Sequence, residues 1–245
     1  PSGVWVWSTH FTSGLPKWSA VWTTQPPGLT RSRSGDGAGG GGKGEHRGRV
    51  GKAVIAAGNG WARGGGFWYQ LAAAVTIASD RAVFAQPEVR HISNSSFLFA
   101  ALCGWKAANR WALTGDHFDA QEALRIGMVN EVVPHDKLMD AVYALARRMA
   151  LVPEPALRLN KAITMQGIQA SGLHAGLLLE GALGALAHTS HNEYREELFE
   201  IQRSQGMKAY LAKRDGPFQP EPMGPRSAQA RAAKGRNRKS APKQR

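Results

Sequence analysis

The sequence predicts a mixed α/β fold continued by a helical region, and three observations lead there. Short apolar runs at residues 54–58, 75–78 and 82–85 have the length of buried strands. The triplet Gly64-Gly65-Gly66 closes the first strand segment and opens a helix-length stretch, Gly66 to Ala74. From about Phe97 onward, apolar residues recur at helical spacing almost without interruption.

The elements follow in order. Residues 1–52 hold Trp5, Trp7, Trp18 and Trp22, the turn formers Gln25-Pro26-Pro27-Gly28, and a glycine tract from Ser34 to Gly42. Glycine at that density disfavours a packed core, so little regular structure is expected there. After the strand at 82–85, Glu88 sits just past a strand end. Phe97 to Ala112 reads as one broadly apolar helix. Asp119 can cap a helix from Ala120 to Ile126 that stops at Gly127, and Met128 to Val133 reads as a strand ended by Pro134. Asp136–Leu151 and Glu154–Ser171 are amphipathic, Leu173 to about Gln205 reads as one long helix, and Met207–Arg214 is the last element. Four segments result: 1–52, low in complexity and outside the fold; 53–150, the α/β core; 151–223, helical; and 224–245, a basic disordered tail.

Charge supports this division. Of 31 Lys/Arg and 18 Asp/Glu, residues 1–52 carry seven bases and two acids, and residues 226–245 carry eight bases and no acid. The interior is neutral, which argues against a nucleic-acid-binding domain, because such a footprint lies on a folded face. The single cysteine, Cys103, excludes an internal disulfide, and its apolar neighbours suggest a buried helix face. No apolar run reads as long enough to span a bilayer and no signal pattern opens the chain, so the expected compartment is cytoplasmic, with no membrane partner. The eight histidines do not pair with acids at ligand spacing, and no metal is expected.

The glycine turn carries chemistry. It aims unobstructed backbone N–H groups along the positive end of a helix dipole, and Glu88 arrives some twenty residues later. Fixed N–H donors stabilise an enolate oxygen, and a carboxylate can move the proton whose removal creates it. Glycine-rich turns also bind phosphate or simply turn the chain.

Six stretches stand in order: Val54-Ile55-Ala56-Ala57, Asn59-Gly60 with the glycine triplet, Ala82-Val83-Phe84-Ala85-Gln86-Pro87-Glu88, Leu113-Thr114-Gly115-Asp116, Ala120-Gln121-Glu122-Ala123 leading to Gly127-Met128-Val129, and Val132-Val133-Pro134. In these stretches, and from Ala53 to about Phe218, the chain resembles the crotonase, or enoyl-CoA hydratase/isomerase, family. Between Glu88 and Leu113 the chain is about four residues shorter than is typical of the family.

The resemblance implies a crotonase-like ββα spiral with a C-terminal helical region that trimerises, giving a homotrimer or hexamer. The early ββ layers, and a loop giving the first oxyanion donor, have no counterpart in residues 1–52. That segment is therefore read as foreign to the fold, for example an out-of-frame start, and the initial Pro as a sign of a fragment or processed product.

The resemblance also assigns roles. Glu88 takes the acid/base position and Gly65 the oxyanion N–H, with Gly66 beside it. Where family hydratases carry a second Glu, this chain has Trp68, which reads as an acyl-pocket wall or as an ordinary core Trp. Hydration needs protons moved at both carbons, whereas isomerisation needs one shuttling carboxylate. His91 is a candidate helper. Tyr194 and Lys213 fall where the family contacts the CoA nucleotide. The implied substrate is an acyl-CoA thioester, with coenzyme A as part of the substrate and no other cofactor. Enoyl-CoA isomerisation is the expected activity, with hydration, or an inactive scaffold lacking half its site, as alternatives.

Overall fold

The computed structural model describes residues 53–91, 94–230 and 232 with their side chains, and residues 4–10, 17–23 and 30–32 by their backbone course alone. Two sheets organise the described residues. The larger runs β3-β2-β1-β4-β6-β9, from β1 (Val4–His10), β2 (Lys17–Thr23), β3 (Thr30–Ser32), β4 (Val54–Gly58), β6 (Val75–Ser79) and β9 (Glu131–Val133). The smaller runs β5-β7-β8, from β5 (Trp61–Arg63), β7 (Val83–Ala85) and β8 (Phe118–Asp119).

Among the described residues the helices are α1 (Gly65–Ala72), α2 (Phe97–Cys103), α3 (Trp105–Ala112), α4 (Ala120–Arg125), α5 (Leu138–Ala150), α6 (Glu154–Ile168), α7 (His174–Thr189) and α8 (Glu193–Asp215). Asp119 caps α4 as its sequence suggested, its Oδ1 accepting the Glu122 N–H at 3.0 Å.

Strand β4 is buried at every residue because it is central, flanked in parallel by β1 and β6. Two cores result. Ile55, Ala57 and Ile77 pack against Leu138, Val142 and Ala146 of α5. The second core is aromatic. Phe67 of α1 meets Phe99 of α2 edge-on, with ring centroids 5.1 Å apart, and Phe84, Trp111 and Phe118 complete the cluster.

Several expectations are corrected. Residues 1–52 were expected to lack regular structure, yet β1 pairs antiparallel with β2 and parallel with β4, from Trp5↔Val54 to Ser8↔Ala57. The runs 4–10 and 17–23 are rich in Val, Trp and Thr, whose strand preference the glycine tract obscured. That tract itself, residues 34–42, lies outside the described residues. The expected helix Phe97–Ala112 breaks at Gly104, whose φ of +77° is a conformation other residues rarely adopt. The expected helix from Leu173 to Gln205 breaks at Ser190, and α8 kinks at Gly206. The tail expected from 224 begins in ordered form: Gly224–Arg226 make a 3-10 turn, Ser227 is buried, and Glu221 bridges to Ser227. Residues 231 and 233–245 lie outside the described residues.

The membrane expectation also changes. A π-helical turn, Gln169–Leu173, joins α6 to α7 into one stretch, Glu154–Thr189, that is long and apolar enough by length and composition to cross a membrane. The sequence reading divided it at Gly172, which does interrupt the helical backbone with φ +100°.

Candidate functional site

Strand alternation and one glycine build the centre of the site. In β5 the side chain of Ala62 is fully buried in the aromatic core, so Trp61 and Arg63 project from the opposite face of the strand. β5 pairs in parallel with β7, Arg63 opposite Ala85, so the turns that follow the two strands are neighbours. After β5, Gly64 turns the chain with φ +52° and ψ −124°, and α1 begins at Gly65 with no side chain among the described residues capping its first N–H groups. After β7, Pro87 opens a 3-10 turn, Pro87–Arg90, that carries Glu88.

The two turns meet. A Cβ on Gly64 would lie 3.0 Å from Glu88 Oε1, so only glycine lets the carboxylate rest there, against the residue that precedes the start of the helix. Glu88 Oε2 is buried with no hydrogen-bond partner among the described residues. Burial raises the carboxyl pKa above its ordinary value. The charges of Arg214 and Arg63 oppose that rise, and Asp215 adds to it. A carboxylate in this state holds a proton readily and can also give it up, which suits acid/base work. Gly65 is exposed, with open space beside its Cα, and Gly66 is buried beneath it.

Trp68, one turn into α1, donates its backbone N–H to Gly64 O and packs against the aromatic core. Its indole Nε1–H is buried with no partner among the described residues. It also walls an apolar cavity of about 340 Å³ between α1, α2, α6 and α7, lined by Leu71, Leu98, Met165, Ile168 and Leu177. Glu180 enters this cavity and accepts hydrogen bonds from the Ser96 hydroxyl and the Phe97 N–H. Glu88 does not line it.

Arg90 and His91 anchor the Glu88 turn to the rest of the chain. The Arg90 guanidinium is buried and donates to Thr114 O, Asp116 and Glu221 at 2.8 to 3.3 Å, with Asp215 Oδ1 at 3.5 Å and the Phe218 ring 4.0 Å from its Cζ. His117, fully buried, lies 3.7 Å from Glu221 through Nε2. That is too long for a hydrogen bond, and burial holds the imidazole pKa far below its usual value, so this contact is not an ion pair. His91 Nε2–H donates to Arg195 O at 3.2 Å, leaving Nδ1 to accept from the Tyr210 hydroxyl at 3.0 Å. Both ring nitrogens are therefore engaged by α8, and burial keeps the ring neutral by lowering its pKa. This geometry makes His91 a tether, in place of the helper its position suggested.

The structure brings Tyr194 and Lys213 together across the kink of α8: the Tyr194 hydroxyl is 3.5 Å from Lys213 O, and Lys213 Nζ is 2.5 Å from Glu197. Cys103 is held as a thiol, its pKa pushed up to about 12 by burial. Among the described residues no three His, Cys, Asp or Glu side chains converge as metal ligands would. Sequence reasoning missed Arg63, Arg214 and Asp215 around Glu88. For Arg63 a signal existed in its two-residue spacing from Trp61 on either side of a small apolar residue. For the other two, the contact spans more than a hundred residues.

The family model for enoyl-CoA hydratase/isomerase matches residues 47–221. The chain belongs to the enoyl-CoA hydratase/isomerase family. A probable enoyl-CoA hydratase of Mycobacterium tuberculosis is 38% identical over 143 residues, covering 56% of this chain and 50% of that protein. A crotonyl-CoA hydratase of Syntrophomonas wolfei is 33% identical over 171 residues, covering 68% and 62%. Among solved structures, an enoyl-CoA hydratase/isomerase from Xanthobacter autotrophicus Py2 superposes with a TM-score of 0.68 at 26% identity, covering 71% of this chain and 66% of the other. The fold is thus the crotonase fold. The chain spans about half to two thirds of the length of these relatives.

Proposed function

We propose that this chain acts on acyl-CoA thioesters through an enolate, with Glu88 moving the proton and the Gly65 N–H stabilising the thioester oxygen. The observation that carries this reading is the Glu88 carboxylate lying against Gly64, one oxygen buried and, among the described residues, without a partner, directly beside a helix start that no described side chain caps. A substrate α-proton is the partner that such an oxygen lacks. Donors at the start of α1 require no reorganisation as charge reaches the thioester oxygen.

Double-bond isomerisation is the preferred reaction. One carboxylate can remove a proton at one carbon and return it two carbons away, whereas hydration requires a second group to position water. The residue at that second place is Trp68, which offers no base. Hydration remains the second reading, favoured by the names of the relatives from Mycobacterium tuberculosis and Syntrophomonas wolfei. The apolar stripes on α6 and α7 support assembly with further copies of the chain, in line with a homotrimer.

The test uses 3-enoyl-CoA, whose conversion to the conjugated 2-enoyl thioester changes the ultraviolet spectrum. Glu88→Gln should lower the isomerisation rate by at least about a hundredfold while thioester binding is retained. Trp68→Glu should raise hydration of 2-enoyl-CoA. Unchanged isomerisation in Glu88→Gln overturns the single-carboxylate mechanism.

A further inference from the structure

We propose that Arg63 and Arg226 form a carboxylate-binding site beside Glu88, so that the acyl groups this chain accepts end in a second carboxylate; the inference rests on the acyl-CoA reading above. The site lies on the face of β5 turned away from the aromatic core. Ala62 points into that core, which places Trp61 and Arg63 together on the other side. The Arg63 Cζ is 4.9 Å from the Trp61 ring centroid, and the Arg226 Cζ is 5.5 Å from the same ring. His117 meets that indole edge-on at 5.2 Å.

Two like charges are thus gathered on one aromatic ring, and neither guanidinium makes a hydrogen bond or ion pair with a carboxylate among the described residues. Glu88 is near enough for its charge to act on Arg63 without forming an ion pair, and the other nearby acids are engaged elsewhere. Asp215 binds Arg214 at 2.8 Å, Glu221 binds Arg90 and the His117 N–H, and Asp116 binds Arg90 and Arg110. Arg63 is half-buried, and desolvation followed by the repulsion of Arg226 lowers its pKa. The charges of Glu88 and Asp215 offset only part of the cost of this partly desolvated cation, and a bound anion removes the rest. Arg226 is held near this face by the fold: Gly224 packs against Val83 of β7, and Ser227 is buried with its bridge to Glu221.

The position selects the source of the anion. Arg63 immediately precedes Gly64, on which the Glu88 carboxylate rests, and it pairs in register with Ala85, three residues before Glu88. In a bound thioester the carbon that loses its proton must meet Glu88. The diphosphate of coenzyme A lies at the far end of the pantetheine arm, so an anion at Arg63 belongs to the acyl group. A planar guanidinium matches a carboxylate through two parallel hydrogen bonds.

The test compares glutaryl-CoA with butyryl-CoA, saturated thioesters with no double bond to move, by calorimetric titration. The full chain should bind glutaryl-CoA at least about tenfold more tightly. Arg63→Leu should abolish the preference while leaving butyryl-CoA affinity within about twofold, and Arg226→Leu, at an exposed position, should reduce it. Equal affinities for the two thioesters overturn the proposal. So does an Arg63→Leu loss that is seen with both CoA thioesters and vanishes for their pantetheine counterparts, because the anion is then the diphosphate. Failure to bind either thioester defeats the acyl-CoA reading instead. Free glutarate then decides the site alone, since binding that Arg63→Leu removes upholds it and no such binding overturns it.

Discussion

Glu88 concentrates the chemistry of the site in one buried oxygen that has no partner among the described residues, and the same carboxyl group has a thermodynamic signature. Burial raises the carboxyl pKa in the folded state. The folded chain therefore binds this proton more tightly than the unfolded chain. The stability associated with the proton is fully present below the unfolded value, near 4.3, and is lost as pH rises through the raised folded value. Glu88→Gln keeps the shape and removes the titration. Its Tm minus that of the parent should be near zero at about pH 4 and should become positive toward about pH 8. A difference that stays flat across that range overturns the buried-charge account. Glu88 was legible in the sequence because its neighbourhood is made by two local turns. Arg214 and Asp215 were not, because they reach Glu88 from the end of α8, whereas Arg63 stands one residue before Gly64 and was overlooked.

At the scale of elements, the junction of β5 and α1 fixes the geometry. Gly64 is required twice, by its positive φ and by the carboxylate 3.0 Å from where a Cβ would stand. Gly64→Ala combines backbone strain of about 1–2 kcal/mol with displacement of Glu88. The expected result is a Tm several degrees lower and isomerisation reduced at least about tenfold. Gly65→Ala is the control for stability: a Cβ there meets open space, and alanine suits a helix start better, so Tm should hold or rise slightly. Equal losses of stability in the two variants would show that the turn does not depend on Gly64. The helix start itself could be read from the triplet. The break between α2 and α3 could not, since apolar residues continue on both sides of Gly104 and nothing local reveals its positive φ. Nor could the pairing of β1 with β4, which joins residues some fifty positions apart across a glycine-rich tract.

At the scale of the whole molecule, the helical region leaves an apolar surface that no described residue covers. Leu179, Leu183 and Leu186 fall at i, i+4 and i+7 on α7 and are more than half exposed, as are Leu159 and Ile163, four apart on α6. Each such side chain gains about 1.5–3 kcal/mol when buried, so a stripe of this length favours association strongly. The stretch that carries it also satisfies the length and composition of a membrane span, so two kinds of cover compete. Gly172 breaks the helical backbone in the middle of that stretch, and Lys161 and Glu180 line the cavity beneath it, features that suit a folded surface better than hydrocarbon. The chain in detergent-free buffer should therefore have about three times the monomer mass by light scattering, as the proposed homotrimer requires. Leu183→Glu, in the middle of the α7 stripe, should shift it to the monomer mass while the far-ultraviolet circular dichroism is retained. Arg147→Glu on α5, away from the stripe, should leave the assembly intact. A chain that is monomeric in buffer and sediments with vesicles would assign the stripe to a bilayer and remove the homotrimer.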